Sequence, residues 1–281
     1  MLKDRTPLTL PRSTKRKLTA RTADKHVLYQ QSVQSPESDA RFFTRYFEKL
    51  AGRPLRILRE DFCGTALLCC EFVRLSRSNI AIGVDLDVPT LRWANVHNLS
   101  RLPRPMRERV HLVRANVLDL RRPKVDAVAA LNFSYSVFKT RREMGAYIKT
   151  AYASLTPGGM LFLDAWGGGE TQFILEERRR LHGFDYVWDQ AAFDPITHEI
   201  LCKIHFEFRD GTRMRNAFVY DWRLWTLPEL RELMFDAGLA DVHVLWEGTD
   251  RKTRKGNGIF RRVERGGDEK AWVAYVVGRR P

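Results

Sequence analysis

Short apolar runs alternate along the chain with stretches whose apolar residues recur at helical spacing. Residues 36–51 show the helical pattern, with Phe43 and Phe47 on one face, Pro36 at the first turn and Gly52 as the stop. The predicted strands up to residue 166 are 55–58, 80–85, 110–115, 125–132 and 159–166, and the further predicted helices are 65–76, 89–99 and 140–154. Strands separated by helices are typical of a parallel, doubly wound sheet.

The pattern changes after residue 166. The strand-like runs that follow are 184–193, 199–208 and 213–222, before a helix at 226–239 and strands at 241–248 and 271–278. Asp210 and Gly211 suit a tight hairpin between the second and third of these runs. We therefore predict an α/β fold with a Rossmann-like doubly wound sheet of about seven strands, the last one antiparallel. An antiparallel β-meander over 184–222 is inserted after strand 5 of this single domain, residues 26–281.

Length and composition fit a globular chain. The 281 residues are 44% hydrophobic, which is ample for a buried core. No apolar run approaches the roughly 20 residues that span a bilayer, and the N-terminus lacks the apolar stretch of a secretory signal. The four cysteines form no C-x-x-C pair. We expect a cytoplasmic protein with no membrane contact and no metal site.

The net charge of +14 is concentrated in two segments. Residues 1–25 hold eight Lys/Arg against two Asp, and residues 251–265 hold seven Lys/Arg against one Glu, which is +6 for each. We interpret the first segment as a flexible basic arm and the second as a basic loop. Both suit weak contact with nucleic acid or another anionic partner, whereas the rest of the chain is nearly neutral.

Two adjacent acids, Glu60 and Asp61, stand in the stretch REDFCGTALL between the strand 55–58 and a helical pattern. In an open α/β sheet the first strand-turn-helix is the usual ligand cradle. A pyrophosphate needs bare N–H groups there, and carboxylates would repel it. A ligand with ammonium and sulfonium groups but no phosphate reverses that sign. This favours S-adenosylmethionine and disfavours a nicotinamide dinucleotide.

The segment ILREDFCGT resembles the first motif of class I S-adenosylmethionine-dependent methyltransferases, an acid followed by a glycine-rich turn. The resemblance puts Glu60 on the acidic position, Gly64 on the middle glycine, and Phe62 and Ala66 on the other two. The later segments IGVDLDVPTLRWA, VRANVLDL, VDAVAALNFSYSVF and LTPGGMLFLD are similar to the family's following motifs in order and spacing.

The resemblance implies an S-adenosylmethionine site. Asp85 would bind the ribose hydroxyls, and Asn116 would face the adenine amino group with Val117 beside the ring. The segment DKHVLYQQSV is similar to the lid of many small-molecule members, where Tyr29 would cover the cofactor. The full set of predicted cofactor-binding residues is Tyr29, Glu60, Asp61, Phe62, Cys63, Gly64, Thr65, Asp85, Leu86, Asn116, Val117 and Asn132.

Each of these residues also has an ordinary structural interpretation. Glu60 or Asp61 would cap the following helix, and Asp85 would cap the helix that Pro89 opens. Asn116 suits a turn. Tyr29 suits the core.

The resemblance implies in-line methyl transfer to a small-molecule acceptor. Candidates for substrate-side or catalytic roles are Tyr135, Tyr220 and Arg223, the last of which would bind an acidic acceptor. Two rival functions remain open: an RNA or DNA methyltransferase that uses the basic arms, and a non-catalytic cofactor-binding or partner-binding protein. The aromatic meander over 184–222 is also a candidate homodimer surface.

Overall fold

The computed structural model describes residues 18–250, 252 and 256–281. The helices are α1 (Lys25–Ser32), α2 (Pro36–Ala51), α3 (Leu67–Leu75), α4 (Val88–His97), α5 (Arg104–Arg107), α6 (Arg141–Ser154) and α7 (Leu227–Asp236). The strands are β1 (Ile57–Asp61), β2 (Ile80–Asp85), β3 (Val110–Arg114), β4 (Val125–Ala130), β5 (Leu155–Gly167), β6 (Leu175–Arg180), β7 (Phe184–Phe193), β8 (Glu199–Phe208), β9 (Arg213–Arg223), β10 (Ala240–Thr249), β11 (Gly256–Val263) and β12 (Trp272–Arg279).

The main sheet has eight strands in the order β11-β10-β12-β5-β4-β1-β2-β3. The five strands from β3 to β5 are parallel, whereas β12 runs antiparallel to β5. This confirms the doubly wound sheet and its antiparallel last strand. The eighth strand is β11, which pairs with β10 inside the segment predicted as a basic loop over 251–265. Residues 251 and 253–255 of that loop lie outside the described residues.

The second sheet, the insertion sheet, has the order β6-β7-β8-β9 and is antiparallel throughout. Three of its strands are the predicted meander. The fourth, β6, has the sequence LEERRR and lies at the edge, largely exposed, so it carries no apolar alternation by which sequence reasoning would find it.

Two apolar layers enclose the main sheet. Phe43 and Phe47 of α2 pack with α3 on one face, and Tyr147 of α6 packs with Leu230 of α7 on the other. Helices α6 and α7 each begin at a capping box, at Thr140 and Thr226. None of the described helices combines the length and the apolar character needed to cross a bilayer.

Residues 18–24 lie against the insertion sheet. Leu18 packs beside Phe184 and Phe206, and the Ala20 N–H donates to Thr212 Oγ1 at 3.0 Å. The predicted arm over 1–25 therefore includes a docked portion, and its residues 1–17 lie outside the described part of the chain.

The strand register brings the candidate residues to one edge of the main sheet, the carboxyl edge. Asp61 at the end of β1 is level with Val84 of β2 and with Ala130 of β4, which is level with Leu163 of β5. The segments that follow these strands therefore meet at that edge.

Candidate functional site

The loop after β1 has a left-handed backbone at every second residue. The φ angles of Phe62, Gly64 and Ala66 are +57°, +50° and +52°. Residues other than glycine rarely adopt this region, and each costs of order 1 kcal/mol or more. The loop thus has positive φ at all three positions that align with the glycines of the family motif, although two of these positions hold Phe62 and Ala66 instead of glycine.

The adjacent acids point to opposite sides of β1, because successive strand residues alternate. Glu60 is 3% exposed and accepts from Cys69 Sγ at 3.1 Å, and burial raises its pKa to about 8. Asp61 is fully buried on the other side. It pairs with Arg59 Nε at 2.8 Å and accepts from the Tyr147 hydroxyl at 3.1 Å. Asp61 was predicted to bind the cofactor, but the structure uses it in a buried ion pair beneath α6.

Asp85 ties the end of β2 to the loop after β1. Its Oδ2 accepts from the Gly64 N–H at 2.8 Å, and its Oδ1 accepts from the Asp87 N–H at 2.9 Å. Neither bond caps α4 in the usual way, since Asp87 is the residue that precedes that helix. The next residue, Leu86, leaves 61% of its surface exposed and offers an apolar face beside the carboxylate.

Helix α1 lies over this loop. Gln30, a residue that sequence reasoning missed, is 5% exposed and donates from Nε2 to Thr65 Oγ1 at 2.8 Å. Its buried Oε1 has no hydrogen-bond partner among the described residues. One position earlier, Tyr29 makes a side-chain hydrogen bond with Tyr220, and burial raises its pKa above the ordinary value. The helix therefore joins the loop after β1 to the insertion sheet.

Three predicted residues have mainly local structural roles. The Cys63 side chain is buried in the core and packs closely against Gly83. A Cβ atom added to Gly83 would lie only 2.9 Å from the Cys63 Sγ. Asn116 Oδ1 accepts from the Leu118 N–H at 3.0 Å, a hydrogen bond typical of an Asn in a turn. Val117 is buried, with 4% of its surface exposed.

The loop after β4 is held by one carboxylate. The N–H groups of Asn132 and Phe133, both with positive φ, donate to Asp164 at 2.6 and 3.0 Å. Asp164 is 9% exposed, and burial raises its pKa to about 7. The Tyr135 hydroxyl donates to the Asp164 carbonyl at 2.5 Å and is buried, so this catalytic candidate is used in the core.

Arg223, predicted to bind an acidic acceptor, is held by three contacts. Its guanidinium pairs with Glu229 at 2.7 Å, donates to the Lys139 carbonyl at 3.1 Å and lies 4.1 Å above the Trp225 ring. These contacts join β9 to the start of α7. They leave Arg223 outside the large cleft described next.

A cleft of about 1460 Å³ opens between the carboxyl edge, α2 and the insertion sheet. We call it the central cleft, and it is defined here by Tyr29, Asp39, Asn132, Asp164, Tyr220 and Trp246. Of the three catalytic candidates, only Tyr220 lines it. Among the predicted cofactor residues, Tyr29 and Asn132 line it too.

One cluster outside this region contains groups of the type that bind metals. Side-chain atoms of Glu176, Asp189 and His205 lie within 4.8 Å of one another. However, His205 Nδ1 accepts from the Asn216 N–H at 2.8 Å, which places the imidazole hydrogen on Nε2, facing Asp189 at 3.2 Å. A cation at Nε2 would have to displace that hydrogen. Glu176 in turn is paired with Arg213 at 3.1 Å.

The chain folds like several solved methyltransferases. An S-adenosylmethionine-dependent methyltransferase from Clostridium acetobutylicum is 14% identical in sequence to this chain and has a TM-score of 0.65. The match covers 91% of this chain and 97% of that chain. An amino pentose methyltransferase of calicheamicin biosynthesis from Micromonospora echinaspora is 17% identical in sequence to this chain and has a TM-score of 0.64. The match covers 91% of this chain and 96% of that chain. A sugar N-methyltransferase from Streptoalloteichus is 19% identical with a TM-score of 0.60, over 99% of both chains.

No protein-family model matches the chain, and the comparison with curated proteins found no match. At these identities the likeness to solved structures establishes the fold. The chain has the fold of the class I S-adenosylmethionine-dependent methyltransferases.

Proposed function

We propose that this protein is a S-adenosylmethionine-dependent methyltransferase that acts on a small molecule. The observation that carries the proposal is the loop after β1, where a glycine-type backbone at Phe62, Gly64 and Ala66 lies between Glu60 and Asp85. Left-handed residues at these positions let a ligand approach the backbone closely. The two acids suit a ligand that is cationic and lacks phosphate.

The buried groups around the loop also fit this cofactor. Glu60 would attract the ammonium group of its methionine moiety, and Asp85 would accept from the ribose hydroxyls. Gln30 Oε1, buried and without a partner among the described residues, is a further acceptor for an N–H or O–H donor. Leu86 would cover one face of the adenine with its exposed apolar surface.

We assign the remaining predicted residues to the same site in lesser roles. Asn116 and Val117 would lie beside the adenine through the backbone of their turn, since the Asn116 Oδ1 is engaged there. Asn132 and Tyr29 line the central cleft and would separate the cofactor from the acceptor. We assign no direct contact with the cofactor to the Asp61 side chain, because its carboxylate neutralises Arg59.

When bound, the cofactor supplies a methyl group attached to a sulfonium sulfur. The protein has to orient the acceptor and exclude water around that methyl group. Tyr29 of α1 and Tyr220 of β9 meet across the cleft and close it on the side of the insertion sheet. The central cleft is therefore the place where we expect the acceptor.

Two observations support a small acceptor over a nucleic acid. The structurally similar proteins include a sugar N-methyltransferase and an amino pentose methyltransferase. The described lining of the central cleft contains more carboxylates than cationic side chains, which would repel a phosphate backbone. Weak anion binding by the basic segments and a homodimer through the insertion sheet remain predictions.

Calorimetry tests the cofactor assignment. We expect the full-length protein to bind S-adenosylmethionine and S-adenosylhomocysteine, and to give no heat with NAD. Release of S-adenosylhomocysteine with a panel of small-molecule acceptors then tests catalysis. Binding without turnover on any acceptor would favour the non-catalytic alternative, and the absence of binding heat would contradict the proposal.

A further inference from the structure

The central cleft has a charge opposite to that of the whole chain. The chain carries +14, yet the described residues that line the cleft comprise seven carboxylate residues and two cationic ones. Arg179 donates to the Ser32 carbonyl and lies 5.0 Å from the Tyr186 ring, and Lys270 pairs with one of the seven acids, Glu170, at 3.9 Å. Among the described lining residues, the carboxylates therefore outnumber the cationic side chains that could neutralise them.

Two of these acids are largely removed from solvent, Asp164 being buried and Asp39 half-buried. Asp164 is held by two backbone N–H groups at the end of β5, and Asp39 of α2 accepts from the Tyr275 hydroxyl at 3.3 Å. Burial raises the pKa of Asp39 to about 6 and that of Asp164 to about 7, and the charge of Asp39 contributes to the second shift. Since the negative charge of Asp39 disfavours ionisation of Asp164, a cation placed near both carboxylates would stabilise their charged forms.

The walls of the cleft are aromatic. Twelve aromatic side chains line it, and several present packed rings: Tyr220 stacks on Trp222 at 4.2 Å, and Trp166 lies 5.6 Å from Phe133. Aromatic faces attract cations, and the attraction grows when the cation is desolvated. The same rings offer little to an anionic acceptor.

We propose that the acceptor is a small molecule with a protonated amine, and that Asp164 and Asp39 bind this ammonium group between the aromatic walls of the central cleft. This inference rests on the proposed function, because it identifies the acceptor of the same site. It replaces the acidic acceptor that Arg223 was expected to bind, since Arg223 lies outside the cleft.

The bound ammonium has to lose a proton before its nitrogen can act as a nucleophile. Transfer to Asp164 breaks an N–H bond and forms an O–H bond at a carboxylate oxygen, and the neutral amine keeps its lone pair. Burial makes Asp164 a better proton acceptor than an ordinary carboxylate, because its raised pKa is closer to that of an amine.

Tryptophan fluorescence tests the inference without any turnover. Five of the seven tryptophans line the central cleft, so their emission reports on its contents. The full-length protein, with excess S-adenosylhomocysteine, is titrated with benzylammonium chloride, benzyl alcohol and benzoate. We expect benzylammonium to bind at least about tenfold more tightly than benzyl alcohol, and benzoate to bind most weakly.

The variants Asp164→Asn and Asp39→Asn should each reduce the preference for benzylammonium to about threefold or less. Asp39→Asn serves if Asp164→Asn does not fold, because Asp39 holds no backbone loop. The matched control is Asp236→Asn, an exposed acid paired with Arg141, which should keep the full preference. A preference for benzyl alcohol or benzoate, or a preference that both cleft variants retain, would overturn the inference.

The fluorescence titrations, taken together with calorimetry of S-adenosylhomocysteine binding, separate this inference from the proposed function. Calorimetric binding of S-adenosylhomocysteine together with no ammonium preference would reject the amine acceptor and leave the methyltransferase assignment standing. The absence of S-adenosylhomocysteine binding would reject both.

Discussion

Different parts of the chain form the central cleft and the proposed cofactor side of the carboxyl edge, by which we mean the loop after β1 and Asp85. The cofactor side comes from one short stretch, Glu60 to Ala66, joined to Asp85 by a single hydrogen bond. The cleft draws on α1, α2, the ends of β4 and β5, the insertion sheet and the segments around β10–β12. A site within one strand-turn-helix can be recognised from residue order, whereas a site made from distant segments depends on how they pack.

This difference shows most clearly at the two adjacent acids. Both stood out in the sequence as candidates for the cofactor. The strand places Glu60 against Cys69 of α3 and directs Asp61 to a buried arginine on the other side. Removal of one or the other should therefore separate ligand binding from stability.

The largest effect is expected from Asp61→Asn. It would leave the fully buried Arg59 without its partner, which typically costs about 3–5 kcal/mol of the free energy of unfolding. Urea denaturation measures this loss. The affinity of the folded protein for S-adenosylhomocysteine should stay unchanged, and the exposed acid Asp119, changed to Asn, is the control. A folded Asp61→Asn protein that has lost cofactor binding would assign Asp61 to the site after all.

Glu60→Gln should have the opposite profile. We expect affinity for S-adenosylhomocysteine to fall about tenfold to a hundredfold, or about 1.4–2.7 kcal/mol, because the amide does not attract the ligand's ammonium group. In the unchanged protein, affinity should rise from about pH 6 to 8, as Glu60, with a pKa of about 8, loses its proton. Calorimetry across this range checks the slope, which should disappear in Glu60→Gln.

The pH dependence of unfolding sharpens the same contrast. Glu60 and Asp164 have native pKa values of about 8 and 7, above their ordinary values of 4.5 and 3.8. The unfolded chain therefore releases these protons at lower pH than the native protein, so the free energy of unfolding should fall between about pH 5 and 8 without ligand. Thermal unfolding measures this trend. Glu60→Gln should make it shallower, and an unchanged slope would argue against the raised pKa.

A smaller effect is expected from Arg223→Ala, on the far side of β9 from the cleft. Loss of its pair with Glu229 and its contact with Trp225 should lower the free energy of unfolding by about 1–1.5 kcal/mol. The affinity of the cleft for benzylammonium should not change. A clear loss of that affinity would restore Arg223 to the acceptor site.

The smallest change is expected from Tyr220→Phe within the cleft. It removes only the hydroxyl that bonds to Tyr29 and keeps the ring, at a cost of about 0.5–1 kcal/mol. S-adenosylhomocysteine affinity should fall by less than about threefold. A loss as large as that of Glu60→Gln would show that the α1 contact controls the cofactor side.

Much of the main sheet could be predicted from the sequence. The five parallel strands and the antiparallel β12 have the predicted order, because buried strands leave continuous apolar runs. The edge strands β6 and β11 were missed, the first because it is almost entirely charged and the second because it lies in a basic segment read as a loop. Exposed edge strands need no apolar alternation, so their pairing is invisible in the pattern.

Part of the candidate site could also be located from the sequence. The Gly64 N–H donates to Asp85, and the cofactor contacts of Glu60, Gly64 and Asp85 stay predictions, whereas Tyr135 and Arg223 take part in packing and an ion pair. Gln30 gave no local signal, because its role depends on the approach of α1 to Thr65.

The sequence alone determined the order of the strands and helices and the acid-turn-helix at the end of β1, because hydrophobic period and turn residues act over a few neighbouring positions. Only the tertiary structure decided which of two adjacent acids joins the buried ion pair and which carboxylates share a cleft with the aromatic rings. Those outcomes depend on strand register, burial and contacts between segments far apart in the chain, such as Asp39 and Tyr275, which are 236 residues apart. Charge and burial act through space, so two adjacent acids have different partners on the two sides of one strand, Cys69 for Glu60 and Arg59 for Asp61.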